Sequence, residues 1–296
     1  MKLQVRTLSP WPLRIELEDT VFSDEIPEEK ADALLANWGP LPELFTFPRR
    51  KAWYSVEPPC QFDYLGGGSW PKIRDRLAPH EFLWYNHPDE RFRIPEATHF
   101  EPLSVALTGR RKAQAVAVVS NFGGRPWQRL PDMQFRNRII TLPEVDLFGR
   151  EGWRRYRHHW YSLPKTPSNY QGPIAGDWPA TEKRELLAKY SVVICLENMR
   201  EPHSFSEKFV EAACAGAVPI YQAHPTVRDH FLSGARWIDP GDYGDDPEAT
   251  LSAALAADRE EFSEANRQWI ETSPELAETH LNRIFAKIAR ALRDES

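Results

Sequence analysis

The stretch HSFSEKFVEAACAGAVPIY, His203 to Tyr221, joins the pattern of an amphipathic helix to that of a buried strand. Ser204 and Glu207 have the Ser-x-x-Glu spacing of a capping box, which predicts that a helix begins here. Apolar residues then recur at helical spacing until Gly216, and glycine is a common residue just beyond a helix C-terminus. The final AVPIY, Ala217 to Tyr221, is an apolar run of strand length. The stretch therefore predicts a helix that leads directly into a strand of a sheet core.

Two more apolar runs of strand length precede this helix. SVVICL, Ser191 to Leu196, comes shortly before it, and AQAVAVVSN, Ala113 to Asn121, lies further upstream. A strand, a helix and a strand in this order form a βαβ unit, in which the strands are parallel and the crossover is right-handed. Runs this apolar are typical of parallel strands covered on both faces. We therefore predict a doubly wound α/β domain over residues 111–273.

Two helices are predicted between the upstream strands. One covers Asp132 to Leu142, and the other has Thr181 as its N-cap and ends near Tyr190. A long loop rich in Trp, Tyr and Pro separates them and extends to about Pro179.

The chain on either side of this domain has a different character. Residues 1–110 are proline-rich, with one strand candidate at Lys51 to Ser55, so we predict a smaller and irregular N-terminal domain. Residues 274–296 place apolar side chains along one face of a single long helix from Pro274 to Arg293. The glycines at Gly66 to Gly68 lack the Gly-Lys-Ser/Thr ending of a phosphate loop, which favours a flexible loop there.

Composition argues against several classes of function. The chain has 296 residues and a net charge of −6, which makes nucleic acid a poor main partner. Its three cysteines are odd in number and lack Cys-x-x-Cys spacing, which argues against a disulfide framework. The N-terminus has no uninterrupted apolar segment, and no run reaches the roughly 18 apolar residues of a membrane span. We expect a cytoplasmic protein without a transmembrane segment, either free or peripheral to the inner face of a membrane.

Polar side chains follow the predicted strands. Ser120-Asn121 end the first strand, Glu197-Asn198 follow the second, and Glu207-Lys208 lie in the first turn of the next helix. Open α/β sheets bind ligands beyond the carboxyl ends of their strands, and a helix N-terminus attracts anions. A lysine there opposes the helix dipole, and a bound anion such as a diphosphate would remove that conflict. Arg136 would supply a second cation across the crevice.

Simpler interpretations of the same residues stay open at this point. Lys208 fits a surface side chain, with Glu207 serving only in the capping box. Glu197-Asn198 fit an ordinary polar strand terminus. The spacing of these residues does not separate a ligand site from these alternatives.

From Leu196 to Phe231 the sequence resembles the signature of the family 10 glycosyltransferases, the α-1,3/1,4-fucosyltransferases. That signature has the form F-E-N-S…Y-[VI]-T-E-K, followed by a helix, P-[IV] and a proline-containing loop. Leu196-Glu197-Asn198 match its F-E-N element, Ser206-Glu207-Lys208 its T-E-K element, and Val218-Pro219-Ile220 the strand that follows.

Shorter matches lie upstream of the signature. VVSNFGG, Val118 to Gly124, resembles the family's V-x-S-N strand end, and FRNR, Phe135 to Arg138, resembles its R-N helix. KAWYSVEPP, Lys51 to Pro59, resembles the F-Y-T-G-E-N segment of the N-terminal domain, which places Glu57 on the family's catalytic carboxylate.

The resemblance implies a GT-B fold of two Rossmann-like domains, an acceptor-side domain at residues 1–110 and a donor-binding domain at 111–273. It also implies inverting transfer of fucose from GDP-fucose to a glycan hydroxyl, without a metal or other cofactor. Glu57 would be the general base. Arg136 and Lys208 would meet the diphosphate, Glu207 the ribose or donor sugar, and Asn198 the nucleotide–phosphate region. The full donor-binding set would be Ser120, Asn121, Arg136, Glu197, Asn198, Ser206, Glu207 and Lys208.

Some residues depart from the family pattern and leave the substrates open. Ser204 stands where the family has an aromatic residue, Met199-Arg200-Glu201 replaces a small polar run, and the loop from Trp153 to Trp178 is atypical. Two alternatives therefore remain: a glycosyltransferase that uses another nucleotide sugar, and a non-catalytic protein that binds a nucleotide or glycan.

The sequence has no convincing metal-binding motif. Asp245-Asp246 lie in a loop rich in Gly and Pro, where a turn is the favoured interpretation. His158-His159 lack a partner at metal-ligand spacing.

Overall fold

The chain folds into two compact units. The first contains the chain up to Phe100, the short segment His203–Phe205 and the C-terminal residues from Ala277 onward; the second contains Glu101–Pro202 and Ser206–Leu276. The computed structural model describes residues 2–9, 13–37, 42–56, 75–106, 111–121, 131–149, 153, 163, 165–174, 181–198 and 200–293.

The first unit contains a six-stranded sheet with the order β2-β3-β1-β4-β5-β6. Neighbouring strands are parallel except β2 and β3, which are antiparallel. One short helix, α1 (Pro42–Thr46), lies between β4 and β5. The strands are β1 (Leu3–Leu8), β2 (Arg14–Glu16), β3 (Thr20–Ser23), β4 (Ala33–Asn37), β5 (Arg50–Ser55) and β6 (Phe82–Trp84).

The expectation of an irregular N-terminal domain with one strand was therefore wrong. These strands are three to six residues long, and several alternate buried with half-buried or exposed residues. Strands of this length give little periodic signal in a single sequence, and the turns between them are rich in proline and acidic residues. Only the β5 candidate, Lys51 to Ser55, was found from the sequence.

The second unit contains a parallel five-stranded sheet with the order β11-β10-β7-β8-β9. Its strands are β7 (Lys112–Val118), β8 (Val145–Gly149), β9 (Tyr170–Pro173), β10 (Tyr190–Ile194) and β11 (Val218–Ile220). Its helices are α2 (Pro131–Ile139), α3 (Thr181–Leu187), α4 (Glu207–Cys214), α5 (Pro225–His230), α6 (Pro247–Ala256) and α7 (Arg259–Thr272).

This sheet confirms the predicted α/β fold and the βαβ unit formed by β10, α4 and β11. The sequence missed β8 and β9, which both lie within the segment expected to be a loop. The four residues of β9, YQGP, alternate half-buried with exposed positions and include a glycine at φ 119°, so no apolar run marks this strand.

The C-terminal segment forms two helices, α8 (Pro274–Ala277) and α9 (Leu281–Arg293), where one long helix was predicted. The break at Thr279 has a tertiary cause. Its carbonyl accepts from the Thr98 amide at 3.1 Å, and the two threonine hydroxyls lie 2.7 Å apart. Below the break, α9 packs Ile284, Phe285 and Ile288 into the core of the first unit's sheet.

The α4 helix is held by an aromatic cluster at the core of the second unit. The Phe209 ring, which has no exposed surface, contacts the rings of Tyr221 and Trp269 at centroid distances of 5.1 and 5.4 Å. Aromatic pairs at such distances add about 0.5–1.5 kcal/mol beyond the area they bury. This packing fixes the N-terminus of α4 beside the carboxyl ends of the strands.

Gly216 ends α4 with a φ of +62°, as the sequence predicted. We expect Gly216→Ala to destabilise the protein by about 2 kcal/mol, because alanine disfavours a left-handed backbone and strain of this kind costs roughly 1–3 kcal/mol. A Cβ at this position would also lie 2.5 Å from the Ala106 carbonyl oxygen. Urea unfolding measures the loss. Gly234 provides a control, because its φ is also positive, at 87°, but no atom lies within 4 Å of an added Cβ. Gly234→Ala should therefore lose less stability than Gly216→Ala.

Within the described residues, none of the helices is long and apolar enough to cross a membrane.

Candidate functional site

The site begins where three neighbouring strands of the second unit end. Ile194 of β10 pairs with Ala117 of β7 on one side and with Ile220 of β11 on the other. Parallel pairing therefore brings the residues after these strands to one edge of the sheet. Those residues are Ser120 after β7, Glu197 and Asn198 after β10, and Tyr221 after β11.

The helix α4 meets this edge through its N-cap, which is Ser206 and not Ser204. The helix begins at Glu207, and the Ser206 hydroxyl accepts a hydrogen bond from the Lys208 amide at 3.4 Å. The predicted Ser204 capping box was therefore wrong. Ser206 is held in an extended conformation because its own amide and hydroxyl both donate to Glu197, at 3.2 and 2.5 Å.

Glu197 is the centre of the cluster. Its Oε1 accepts from the Ser206 amide, the Ser206 hydroxyl and the Tyr221 hydroxyl, the last at 3.1 Å, and its Oε2 accepts from the Lys208 ammonium at 3.0 Å. The Glu197 side chain is only 9% exposed. A buried carboxylate is costly unless it is paired and hydrogen-bonded, and these donors meet both conditions.

Lys208 lies between two carboxylates. Its Nζ is 3.0 Å from Glu197 Oε2 and 3.5 Å from Glu207 Oε1, and it also donates to the Ser206 hydroxyl at 3.0 Å. Burial alone would raise the pKa of Glu207, but the Lys208 and Lys183 ammonium groups outweigh burial and lower it. Glu207 is therefore ionised at neutral pH.

A second ion pair joins α4 to the neighbouring helix α3. Lys183 of α3 pairs with Glu211 of α4, one turn after Glu207. Burial raises the pKa of Glu211, against the attraction of Lys183. These two side chains and Lys208 line a cavity of about 20 Å³, which is enough for one water molecule.

Arg136 comes to the edge from α2. It is 2% exposed, and its Nη1 donates to the Asn198 Oδ1 at 2.6 Å. Burial lowers the pKa of Arg136 to about 10, so the guanidinium stays charged at neutral pH. Glu197 thus holds the Lys208 ammonium, and its neighbour Asn198 holds the Arg136 guanidinium.

The remaining predicted site residues have other surroundings. Asn121 bonds through both of its polar atoms to the backbone of Leu163, accepting from the amide at 2.9 Å and donating to the carbonyl at 3.1 Å. Ser120 is half-buried at the end of β7. Their assignment to donor binding stays a prediction. Glu57 lies outside the described residues.

Residues that the sequence reasoning missed also lie at this edge. Tyr221 directly follows β11, so its position past a buried strand was an available signal. Lys183 and Glu211 gave no signal, because they meet only when α3 and α4 pack together.

Among the described residues there is no group of three or more His, Cys, Asp or Glu that could hold a metal ion. Asp246 caps α6 by accepting from the Ala249 amide at 2.8 Å.

Replacing Ser206 with alanine should cost about 1 kcal/mol of stability, because α4 loses its N-cap hydroxyl. The matched change, Ser204→Ala, removes a hydroxyl two residues before the cap and should cost much less. Thermal unfolding of both variants tests the helix start. A larger loss in Ser204→Ala than in Ser206→Ala would contradict it.

The comparisons with known proteins agree with this architecture at the level of the fold. Neither a scan against protein-family models nor a search of curated proteins finds a match. Among solved structures, an α1,3-fucosyltransferase has a TM-score of 0.53 at 14% identity, covering 100% of this chain and 91% of that one. The same enzyme type with GDP has a TM-score of 0.53 at 13% identity, with the same coverage. A UDP-forming α,α-trehalose-phosphate synthase from Burkholderia xenovorans, in complex with glucose-6-phosphate, has a TM-score of 0.51 at 12% identity, covering 97% and 92%.

The chain therefore has the α/β fold of the GT-B glycosyltransferases, with two sheets built mainly from parallel strands. Identities this low establish the fold alone, so activity and substrates have to be argued from the site.

Proposed function

We propose that this chain is a metal-independent, inverting glycosyltransferase that moves fucose from GDP-fucose to a hydroxyl group of a glycan. The observation that carries the proposal is the pair of cations at one sheet edge. Asn198 holds Arg136 at 2.6 Å, and its neighbour Glu197 holds Lys208 at 3.0 Å. The edge is the one where open α/β sheets bind their ligands.

Two fixed cations suit a diphosphate leaving group. As the bond from the anomeric carbon to the diphosphate breaks, negative charge develops on the departing oxygens. Charged groups already in place stabilise that charge without reorganising during the reaction. Arg136 offers a planar guanidinium and Lys208 a compact ammonium, and the α4 N-terminus adds partial positive charge.

Glu207 would change partners when the donor binds. In the structure its Oε1 lies 3.5 Å from Lys208 Nζ, longer than the 3.0 Å contacts that Lys208 makes to Glu197 and Ser206. In the proposed complex the diphosphate takes the place of Glu207 beside the ammonium. The Glu207 carboxylate then accepts hydroxyl groups of the ribose or the donor sugar.

The reaction would be a single displacement. The acceptor oxygen attacks the anomeric carbon, its proton passes to a carboxylate on the acceptor side, and GDP leaves from the opposite face. Glu57 is proposed as that general base on its sequence resemblance. Ser120 and Asn121, at the end of β7, are proposed to complete the donor site.

A second candidate is a glycosyltransferase that uses a different nucleotide sugar. Structures of the same fold include a UDP-forming synthase, with a TM-score of 0.51, so the fold does not choose the nucleotide sugar. The diphosphate is common to both donors, so the cation pair does not choose between them. A non-catalytic nucleotide-binding protein would retain the cation pair and lack turnover.

The test is donor hydrolysis and transfer in EDTA. GDP-fucose, GDP-mannose and UDP-glucose are each incubated with the protein, and release of the nucleoside diphosphate is followed with and without a panel of glycans. Metal-independent GDP release from GDP-fucose supports the proposal. Release only from another nucleotide sugar supports the second candidate, and binding of GDP without release supports the non-catalytic protein.

A further inference from the structure

The Glu197 carboxylate is held by protein donors on both of its oxygens. Its oxygens accept four hydrogen bonds, from the Ser206 amide and hydroxyl, the Tyr221 hydroxyl and the Lys208 ammonium. An ionised carboxylate offers about four acceptor positions. Three of the four bonds fall on Oε1 and one on Oε2, so the orientation of the carboxylate is fixed chiefly through Oε1.

The Tyr221 hydroxyl, just after β11, donates to the Glu197 carboxylate. The tyrosine side chain has no exposed surface, and burial together with the nearby Glu197 charge raises the pKa of Tyr221 well above its usual value. The phenol therefore stays protonated and can act only as a donor to Glu197 through its hydrogen. Because Tyr221 directly follows β11 and Glu197 follows β10, this bond ties two strand ends together.

Lys208 gains a fixed position from this arrangement. A lysine side chain has a flexible four-carbon stem and loses much rotamer freedom when it is held. Contacts of 3.0 Å to both Glu197 Oε2 and the Ser206 hydroxyl define where its ammonium lies. The Ser206 hydroxyl is itself held by Glu197, so both contacts depend on the same carboxylate.

We propose that Glu197 and Tyr221 are positioning residues, which hold the Lys208 ammonium at the sheet edge for an anionic ligand. This inference refines the sequence-based assignment of Glu197 to donor binding. It rests on the proposed function only for the identity of the anion, a nucleoside diphosphate.

The first test measures Lys208 without any ligand. Reductive methylation modifies only the neutral amine, and its rate at each lysine can be followed by mass spectrometry. Loss of an opposite charge at this distance favours the neutral amine by about tenfold or more. In Glu197→Gln we therefore expect Lys208 to be methylated about tenfold faster than in the wild type.

A matched control lies at the amino ends of β7, β8 and β10 in the same sheet. Asp146 Oδ2 accepts from the Tyr190 hydroxyl at 2.6 Å and from the Lys112 ammonium at 3.0 Å, which repeats the tyrosine–carboxylate–lysine arrangement. In Asp146→Asn, methylation should rise at Lys112 and stay unchanged at Lys208. An unchanged Lys208 rate in Glu197→Gln would overturn the proposal.

The second test measures GDP affinity by calorimetry in EDTA. Tyr221→Phe removes one hydroxyl without changing the charge of the protein. We expect GDP affinity to fall about threefold to tenfold, which is less than the loss expected when a charged hydrogen bond to the ligand itself is removed. Tyr190→Phe removes the equivalent hydroxyl at the far end of the sheet and should leave the affinity unchanged. A purely structural role would lower the melting temperature of both variants and the GDP affinity of neither.

The outcomes separate this inference from the proposed function. Faster methylation of Lys208 in Glu197→Gln, with no GDP binding by the wild type, would support the positioning role and refute the proposed function. GDP binding by the wild type, with unchanged affinity in Tyr221→Phe, would overturn the role of Tyr221.

Discussion

Replacing Arg136 with methionine should weaken GDP binding by about 10- to 150-fold. Hydrogen bonds to charged groups contribute roughly 1.5–3 kcal/mol, and each 1.4 kcal/mol is a factor of ten in affinity. Arg136 is 2% exposed and donates to Asn198 at 2.6 Å, so water screens its charge little and a diphosphate at this edge would be strongly attracted to it. Methionine keeps most of the buried volume and removes the charge.

Arg138 provides the control on the same helix. Its side chain is exposed, so Arg138→Met removes the same charge from α2 without entering the proposed site. Calorimetry in EDTA should give wild-type affinity for Arg138→Met, and melting temperatures check that both variants are folded. If Arg136→Met and Lys208→Met both bind GDP as tightly as the wild type, this edge is not the diphosphate site.

Replacing Glu57 with glutamine should lower kcat by about 100-fold or more and leave GDP affinity near the wild-type value. A general base contributes roughly 10²–10⁴-fold to the rate and acts on the acceptor hydroxyl, not on the donor. The amide of glutamine keeps the size of the side chain and cannot take the proton. Transfer rate and GDP binding are measured on the same preparation of the variant.

Glu81 and Glu90 are the comparison residues for this experiment. Glu81 Oε2 accepts from the Ala78 amide at 2.9 Å and closes a short turn before β6, and Glu90 lies 3.7 Å from Arg93. Both have structural partners, so glutamine at either position should change transfer by much less than Glu57→Gln. Near-normal transfer by Glu57→Gln would remove it as the base and make these two glutamates the next to test.

Most of the elements that meet at the carboxyl edge of the second unit's sheet could be predicted from the sequence. The strands β7, β10 and β11 are apolar runs, and α4 carries its apolar residues at helical spacing before Gly216. Local patterns of this kind are strong because both faces of a parallel sheet are buried. The placement of Glu197, Asn198 and Lys208 at one edge followed from the parallel order alone.

The first unit's sheet could not be predicted in the same way. Its strands are short and their polar positions are half-buried, so the apolar signal that a sequence window measures is weak. What stabilises them is pairing with strands distant in the chain and packing against α9, from the other end of the chain. Such contacts leave no local pattern.

The sequence alone was sufficient to predict a parallel α/β domain with polar and charged residues near the carboxyl ends of its strands, because apolar runs and helical spacing are local properties of the chain. Which groups touch was decided only by the tertiary structure. Ser206 replaced Ser204 as the N-cap because Glu197, nine residues earlier in sequence, binds its amide and hydroxyl. Tyr221 became a partner of the same carboxylate because β10 and β11 pair in register. A carboxylate's hydrogen-bond partners depend on distances of about 3 Å between residues far apart in sequence, and residue spacing does not encode those distances.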